Sequence, residues 1–211
     1  MNNATVIIFE FLVLIFSAVL HEVAHGYTAQ WLGDDTAERA GRLTLNPLKH
    51  LDFFGSFLMP VALYILSAGS FFFASAKPVP YNPNNLKDPR NGGAQIALAG
   101  PLTNFVLAIV FGLAVRGLSY TNVSVLFIQL LALICYVNIL LGVFNLVPIP
   151  PLDGSRVLFA LLPQTPGTLK AMYTLERYGL LLVILFAYVG FQILVPVIGG
   201  MFTLLTGQSF M

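Results

Sequence analysis

The chain has 211 residues, of which 57% are hydrophobic and only 9% are charged, and its formal net charge is +1. Soluble domains carry about 25% charged residues, so this composition excludes a soluble protein and indicates an integral membrane protein. The near-neutral charge offers nothing that attracts nucleic acid, and we expect no nucleic-acid partner. The single cysteine, Cys135, cannot form a disulfide within the chain and is expected to be a small buried apolar residue.

Hydrophobic blocks follow one another along the chain, each close to the roughly 20 residues that a membrane-spanning helix needs. The blocks predicted as full transmembrane helices are residues 4–32, 93–115, 123–147 and 178–195. A further block, residues 53–76, is interrupted by two glycines and a proline and is predicted to be re-entrant or interfacial. Residues 196–206 are too short to cross again and are expected at the outer interface. The predicted fold class is therefore an all-α polytopic membrane protein with a single domain over residues 1–211.

The first hydrophobic block leads into the sequence HEVAHG, residues 21–26. His21 and His25 are four residues apart, so on a helix both imidazoles project from one face and can hold one Zn²⁺. Glu22 lies beside them, where it can polarise a metal-bound water rather than bind the metal itself. Ionisable side chains at membrane depth cost about 2.5–3.5 kcal/mol each, so three of them in one turn of an apolar helix indicate a metal site.

Catalytic zinc keeps three protein ligands and an open fourth position, so a third ligand is needed. Asp153 is the favoured candidate, because it follows a proline-rich run that ends the preceding helix and forces an extended backbone. The alternative is that Asp153 only caps the next helix, which is a common role for aspartate. His50 and Asp52 in LNPLKHLD are rival ligands, although a solvated role at the membrane interface is the favoured interpretation of both.

The topology must bring Asp153 to the two histidines. HEVAHG ends the first block and Asp153 follows the block 123–147, so they share a side only if an even number of crossings separates them. The blocks 93–115 and 123–147 supply two, which requires the block 53–76 to enter and leave on the same side. Nine of the 10 Lys and Arg residues then lie on one side, with only Arg116 opposite. By the positive-inside rule, we expect the metal motif to lie towards the cytoplasm.

Three asparagines lie within otherwise apolar helices, namely Asn104, Asn138 and Asn145. One interpretation is hydrogen bonding between helices, worth about 1 kcal/mol or less for each bond. Asn145 lies eight residues before Asp153 and is close enough to project towards the metal. It can alternatively donate to the oxyanion that develops during amide hydrolysis.

HEVAHG, the helix start GPLTN at residues 100–104 and the sequence NLVPIPPLDG at residues 145–154 occur in this order along the chain. Together they resemble the site-2 protease family of intramembrane zinc metalloproteases, in its short form without a PDZ domain. The resemblance covers about residues 13–157. The residues to which it assigns a role are Glu22 as catalytic base, Asn104 and Asn145 as assisting catalytic groups, and His21, His25 and Asp153 as ligands of one Zn²⁺ per chain.

The resemblance implies a zinc metalloendopeptidase that hydrolyses peptide bonds within or near transmembrane helices of membrane-protein substrates, as in regulated intramembrane proteolysis. Such a helix must unwind locally before attack, because its amides are locked in internal hydrogen bonds. The segment FASAKPVPYN, residues 73–82, is predicted to be extended and to offer a strand edge to the unwound peptide. The residues expected to bind substrate are Ala76, Lys77, Pro78, Val79 and Pro80.

The expected location is a bacterial inner (plasma) membrane, with the active site towards the cytoplasm. The lipid bilayer and transmembrane substrates are the expected partners, and the sequence leaves open whether the chain forms a homo-oligomer. One alternative function is an inactive, protease-like membrane scaffold, against which the presence of every expected ligand and of the base argues. Another is a metal transporter. Transport requires polar residues distributed across the bilayer, whereas here they cluster towards one side.

Overall fold

Four long helices make up the membrane-spanning part of the residues that the structure describes. The computed structural model describes residues 3–51, 65 and 77–210. Within that part, the helices long and apolar enough to cross a membrane lie at Thr5–Trp31, Pro89–Leu118, Val125–Asn145 and Pro166–Ile193. The prediction of an all-α membrane protein with about four spanning helices is therefore confirmed.

Helices are labelled here in chain order. They are α1 at Asn3–Trp31, α2 at Thr36–Arg39, α3 at Pro89–Leu118, α4 at Val125–Asn145, α5 at Asp153–Leu161, α6 at Pro166–Leu185 and α7 at Val195–Thr206. Short 3₁₀ turns lie at Pro47–Lys49, Pro83–Asn85 and Phe191–Ile193, and a π-helical turn at Phe186–Gly190 continues α6. The residues that the structure describes contain no β-strand.

Capping residues explain where the long helices begin. The carboxylate of Asp88 accepts two backbone N–H groups from the first turn of α3, which satisfies donors that have no partner within the helix. Thr165 and Thr168 form a reciprocal capping box at the start of α6. Because of that cap, α6 begins at Pro166 rather than at the predicted position 178. Its charged residues precede the apolar run, so hydropathy along the sequence predicted only the later, apolar part of this helix.

The helix α3 lies at the centre of the bundle, since it contacts α1, α4, α5 and α7. Its far half packs with α4 and α7 in a buried cluster that includes Ala108, Cys135 and Ile198. Cys135 is fully buried there, as predicted. Towards the outside, every spanning helix exposes large apolar side chains, and examples that are 48–65% exposed are Ile8, Val106, Phe127 and Leu181. Such surfaces suit contact with lipid rather than water.

The chain between α1 and α3 starts and returns on the same side of the bundle. The backbone N–H of Lys77 donates to the carbonyl oxygen of His50 at 2.8 Å. The backbone N–H of Asn82 donates to the carboxylate of Asp34 at 2.7 Å. These contacts bring the residues before and after the block 53–76 together, as the topology derived from the sequence requires.

Two predictions fall partly outside the described residues. Of the block 53–76, only Ile65 is described, so its re-entrant character stays a prediction. The predicted extended segment 73–82 is described from residue 77 onwards. Residues 77–82 are neither helical nor part of a β-strand, and Asn82 has an extended backbone with φ −110° and ψ 109°. The described part is therefore an irregular, partly extended segment.

The opposite end of the bundle is closed by α7, an apolar helix of 12 residues. The guanidinium group of Arg116, near the end of α3, donates to the carbonyl oxygen of Leu204 at 3.2 Å. The expectation that residues 196–206 do not cross the membrane agrees with this short helix. Its location at the end of the bundle far from HEVAHG separates it from the candidate site.

Candidate metal centre

His21 and His25 lie one turn apart on α1, and Asp153 is the first residue of α5. The Nε2 atoms of His21 and His25 lie 3.1 and 3.3 Å from the same carboxylate oxygen, Oδ2 of Asp153. The three side chains are 8, 11 and 12% exposed. Across the described ranges, this is the one group of three such residues whose ligand atoms all lie within 4.8 Å of one another. The fold thus brings together the three predicted metal ligands.

Space for an ion lies over Gly100 of α3. A Cβ atom built on this glycine would lie 2.5 Å from the Nε2 atoms of both His21 and His25. Zinc binds imidazole nitrogen at about 2.0–2.1 Å, so the two rings converge on a place that only a residue without a side chain leaves open. Two imidazoles and a carboxylate are a donor set typical of catalytic zinc. The residues therefore fit a zinc ion. The glycine of GPLTN was not recognised from the sequence as part of the site.

A chain of buried side chains orients the His21 ring. Nδ1 of His21 lies 2.6 Å from Oδ1 of Asn104. The amide nitrogen of Asn104 donates to Oδ1 of Asn138 at 2.9 Å, and that of Asn138 donates to the hydroxyl of Ser17 at 3.0 Å. All four residues are at most 6% exposed. In this direction of donation, Nδ1–H of His21 is the donor to Asn104, which leaves the Nε2 lone pair for the metal.

His25 is oriented in a different way, by a backbone group. Its Nδ1 atom lies 2.6 Å from the carbonyl oxygen of Ile96 on α3. This contact also leaves Nε2 for the metal, because a carbonyl oxygen accepts the proton on Nδ1. Both imidazole rings are thus held by α3, one through a side chain and one through the main chain.

Asp153 is placed by a tight contact between the start of α5 and the loop before it. A Cβ atom on Gly154 would lie 2.1 Å from the carbonyl oxygen of Leu146, so no other residue fits at that position. The helix has no side-chain hydrogen bond at its cap. The alternative in which Asp153 only caps the helix is therefore not what the geometry shows, since its carboxylate faces the two histidines.

Asn145, a predicted oxyanion donor, points elsewhere in this structure. Its side-chain amide donates to the carbonyl oxygen of Leu141, one turn earlier on α4, at 2.9 Å. Its role in catalysis stays a prediction. Asn104, by contrast, lies against His21, a predicted metal ligand, which is a more definite position than the resemblance implied.

The rival ligands do not join the group. His50 is 1% exposed, and its Nε2 atom bonds the carbonyl oxygen of Thr44 at 2.8 Å. The predicted solvated position of His50 is therefore wrong, because the ring folds back onto the turn that precedes it. Asp52 lies outside the described residues.

Glu22 is half-buried and contacts the segment that was predicted to bind substrate. Its Oε2 atom accepts the backbone N–H of Val79 at 2.8 Å. Val79 is buried, whereas Lys77, Pro78 and Pro80 are exposed. Ala76 lies outside the part of the chain that the structure describes. The contact between Glu22 and this segment was not predicted from the sequence, from which the backbone of the segment was assigned to the substrate.

A buried carboxylate anchors the same segment. Asp34 is fully buried and accepts hydrogen bonds from Thr36, from the backbone of Asn82 and from the side chain of Asn85. Burial by itself raises the pKa of Asp34, but these hydrogen bonds outweigh it and hold the pKa below its ordinary value. The group is therefore ionised at neutral pH, when it binds the segment.

Comparison with known proteins adds independent findings. Residues 119–186 match the model of peptidase family M50, a range that contains Asp153. The chain is 40% identical over 199 residues to "Putative zinc metalloprotease YwhC" of Bacillus subtilis. The aligned region covers 89% of this chain and 84% of that protein. No solved structure matches the chain.

Two more distant relatives carry similar names. The chain is 32% identical over 170 residues to "Putative zinc metalloprotease Rip2" of Mycolicibacterium smegmatis, covering 81% of this chain and 62% of that protein. It is 27% identical over 179 residues to "Zinc metalloprotease MJ0392" of Methanocaldococcus jannaschii, covering 85% of this chain and 42% of that protein. The chain thus spans less than two thirds of the length of these two relatives.

Proposed function

The chain belongs to peptidase family M50, the site-2 protease family, and is an integral membrane zinc metalloprotease, and on that premise we propose that it cleaves membrane proteins within or near their transmembrane helices. The observation that carries the proposal is the location of the donor set. His21 and His25 lie inside a spanning helix, and Asp153 reaches them from α5. A hydrolytic site at this depth is accessible to a substrate segment that lies in the membrane.

The proposed roles follow from the geometry. His21, His25 and Asp153 hold zinc, which when bound acts as a Lewis acid and makes water a nucleophile at neutral pH. Glu22 takes a proton from the attacking water and passes it to the nitrogen of the leaving amine. One of its oxygens is engaged by Val79, so the other is the one that accepts the proton. Asn145 is proposed to donate to the oxyanion, which requires its amide to turn away from α4.

Residues 76–80 are proposed to bind the unwound substrate. Pro78 and Pro80 have no backbone N–H, and the N–H of Val79 is bonded to Glu22. Within residues 78–80, carbonyl oxygens are therefore the backbone groups left to pair with a peptide. The substrate is expected to donate its own N–H groups to them, as in strand addition.

The proposed location is a bacterial inner membrane, with residues 1–211 as one domain and the site towards the cytoplasm. Charge placement supports this orientation. Lys49 and Arg90 lie at the end of the bundle where α1 ends and α3 begins, whereas Arg116 lies at the other end. An excess of positive charge marks the cytoplasmic side of membrane proteins.

The test compares wild type with Glu22→Gln and Asp153→Ala in liposomes that contain a pool of single-span membrane proteins. We expect new peptide termini within the transmembrane helices for wild type, and a loss of about 10²–10⁴-fold in Glu22→Gln, which removes the base. Zinc per chain should be unchanged in Glu22→Gln and reduced in Asp153→Ala. New termini that appear equally with Glu22→Gln, or only in soluble loops, would contradict the proposal.

A further inference from the structure

A single backbone amide of the irregular segment is held against the proposed base. We name residues 77–85 the strap. Between Pro78 and Pro80, Val79 carries the only backbone N–H, since proline has none. That N–H donates to Oε2 of Glu22 at 2.8 Å. Within residues 78–80, the N–H of Val79 is therefore the one backbone donor, and it faces the carboxylate of Glu22.

The side chain of Val79 packs against α1. It is 8% exposed and lies over Gly26, the last residue of HEVAHG. A Cβ atom on Gly26 would lie 3.0 Å from Cγ1 of Val79 and 2.5 Å from Cδ2 of Leu43. The glycine therefore allows the strap to approach the helix closely, one turn beyond the base.

One end of the strap is held by a buried cation. Nη2 of Arg42 donates to the carbonyl oxygen of Lys77 at 2.7 Å, and the N–H of Lys77 donates to the carbonyl oxygen of His50. Arg42 is only 7% exposed. Burying a charge is costly unless it is hydrogen-bonded, so the buried guanidinium favours a position of the Lys77 carbonyl oxygen in which this bond is kept.

The other end is held by a buried anion and by a helix of the metal site. Asp34 accepts the N–H of Asn82 and the side-chain amide of Asn85, both at 2.7 Å. The guanidinium carbon of Arg156, on α5, lies 5.2 Å from the centre of the Tyr81 ring, a cation–π contact. Val79 therefore lies between two anchored ends, and one of them contacts the helix that begins with Asp153.

We propose that the strap is a positioning element for the catalytic base, which delivers the Val79 N–H to Glu22 and holds its carboxylate in one orientation. This inference rests on the proposed function. A half-buried glutamate has several rotatable torsions and otherwise samples many orientations. A base works only within hydrogen-bond reach of the proton that it takes. A hydrogen bond from an N–H to an ionised carboxylate is among the stronger kinds, so it selects one orientation.

The experiment uses a matched pair, Val79→Ala and Val79→Pro. Both remove the valine side chain, but only Val79→Pro removes the N–H. Proteins are reconstituted with the same pool of single-span membrane proteins, and the initial rate at which new termini appear is measured beside zinc per chain. We expect equal zinc in both variants and a rate at least about tenfold lower for Val79→Pro than for Val79→Ala.

A second set of variants acts on the anchor and tests the same inference without a new proline. Arg42→Met removes the donor to Lys77 and should lower the rate about threefold to tenfold with zinc retained. Arg42→Lys restores a donor and should recover most of the rate. A strap that only packs the loop would show no such rescue.

Equal rates for Val79→Ala and Val79→Pro would overturn the inference, as would loss of zinc in parallel with rate in the Arg42 variants. Glu22→Gln distinguishes failure of the proposed function from failure of the positioning role of the strap. If Glu22→Gln cleaves as wild type does, the proposed function fails. If Glu22→Gln is inactive while the Val79 pair is equal, only the positioning role fails.

Discussion

The two halves of the candidate site are held by different kinds of structure. The proposed metal ligands are oriented inside the helical bundle, His21 by Asn104 and His25 by the carbonyl oxygen of Ile96, both on α3. The proposed base, Glu22, is contacted instead by Val79, in the part of the strap (residues 77–82) that is not helical. Metal binding and base placement are therefore expected to be separable. Changes in α3 and α4 should alter zinc affinity, whereas changes at the strap should alter turnover with zinc retained.

The largest effect is expected on the metal side, from Gly100→Ala. Its Cβ atom would lie 2.5 Å from both ligand nitrogens, so it would occupy the space of the ion. We expect zinc per purified chain to fall by at least about tenfold, measured by elemental mass spectrometry, with cleavage lost in parallel.

Gly93→Ala is the matched control, because it lies on the same helix and, among the described residues, the nearest atom to its Cβ would be the hydroxyl of Tyr81 at 3.7 Å. It should retain full zinc. If Gly100→Ala retained zinc as the control does, the ion would have to lie elsewhere, and the separation of the two halves would lose its basis.

A smaller effect on the metal side is expected from Asn138→Leu. Without Asn138, the amide of Asn104 loses its acceptor and is free to turn its nitrogen towards His21. That orientation favours the tautomer with a proton on Nε2, which cannot bind metal. We expect zinc affinity, measured by competition with a chelator, to fall about 10–100-fold.

Ser17→Ala removes the last acceptor of the same chain of hydrogen bonds. It should weaken zinc binding less than Asn138→Leu, because the amide of Asn138 also donates to the carbonyl oxygen of Ile134 at 2.9 Å. An unchanged zinc affinity in a folded Asn138→Leu protein would show that the chain of side chains only joins helices.

The smallest effect is expected at the far end of the strap, from Asp34→Asn. The pKa of Asp34 is lowered in the folded protein, so its ionised form contributes stability above the unfolded value of about 3.9, and that stability is lost as pH falls through the folded value. The thermal midpoint in detergent should be lower for Asp34→Asn than for wild type at pH 7. The difference should shrink progressively at pH values below about 4.

Asp35→Asn is the control for charge alone, since Asp35 forms an exposed ion pair with Arg39 at 2.6 Å. Exposed pairs of this kind contribute about 0.3–0.5 kcal/mol, so its midpoint should stay near that of wild type. A pH-independent difference for Asp34→Asn would mean that the anchor works through packing and not through its charge.

Residue type and helical spacing are properties from which a site can be predicted without a structure. His21, Glu22 and His25 were predicted as site residues because residues four apart share a helix face, whatever packs against it. The structure brings His21 and His25 to Asp153, and the roles of these residues stay predictions. The four spanning helices were identified because apolar length alone meets the thickness of a bilayer. The start of α6 was missed, since its first half carries charges and depends on the Thr165 cap rather than on hydropathy.

The sequence by itself determined the membrane class, the two histidines with their neighbouring glutamate, and a topology in which Asp153 returns to them, because composition, period and charge are local properties of the chain. Only the tertiary structure decided what surrounds these residues. The clearance over Gly100, the burial of His50 and the contact between Val79 and Glu22 join residues that are distant in sequence. No periodic pattern encodes such distances, because they arise only when separate helices and loops pack together.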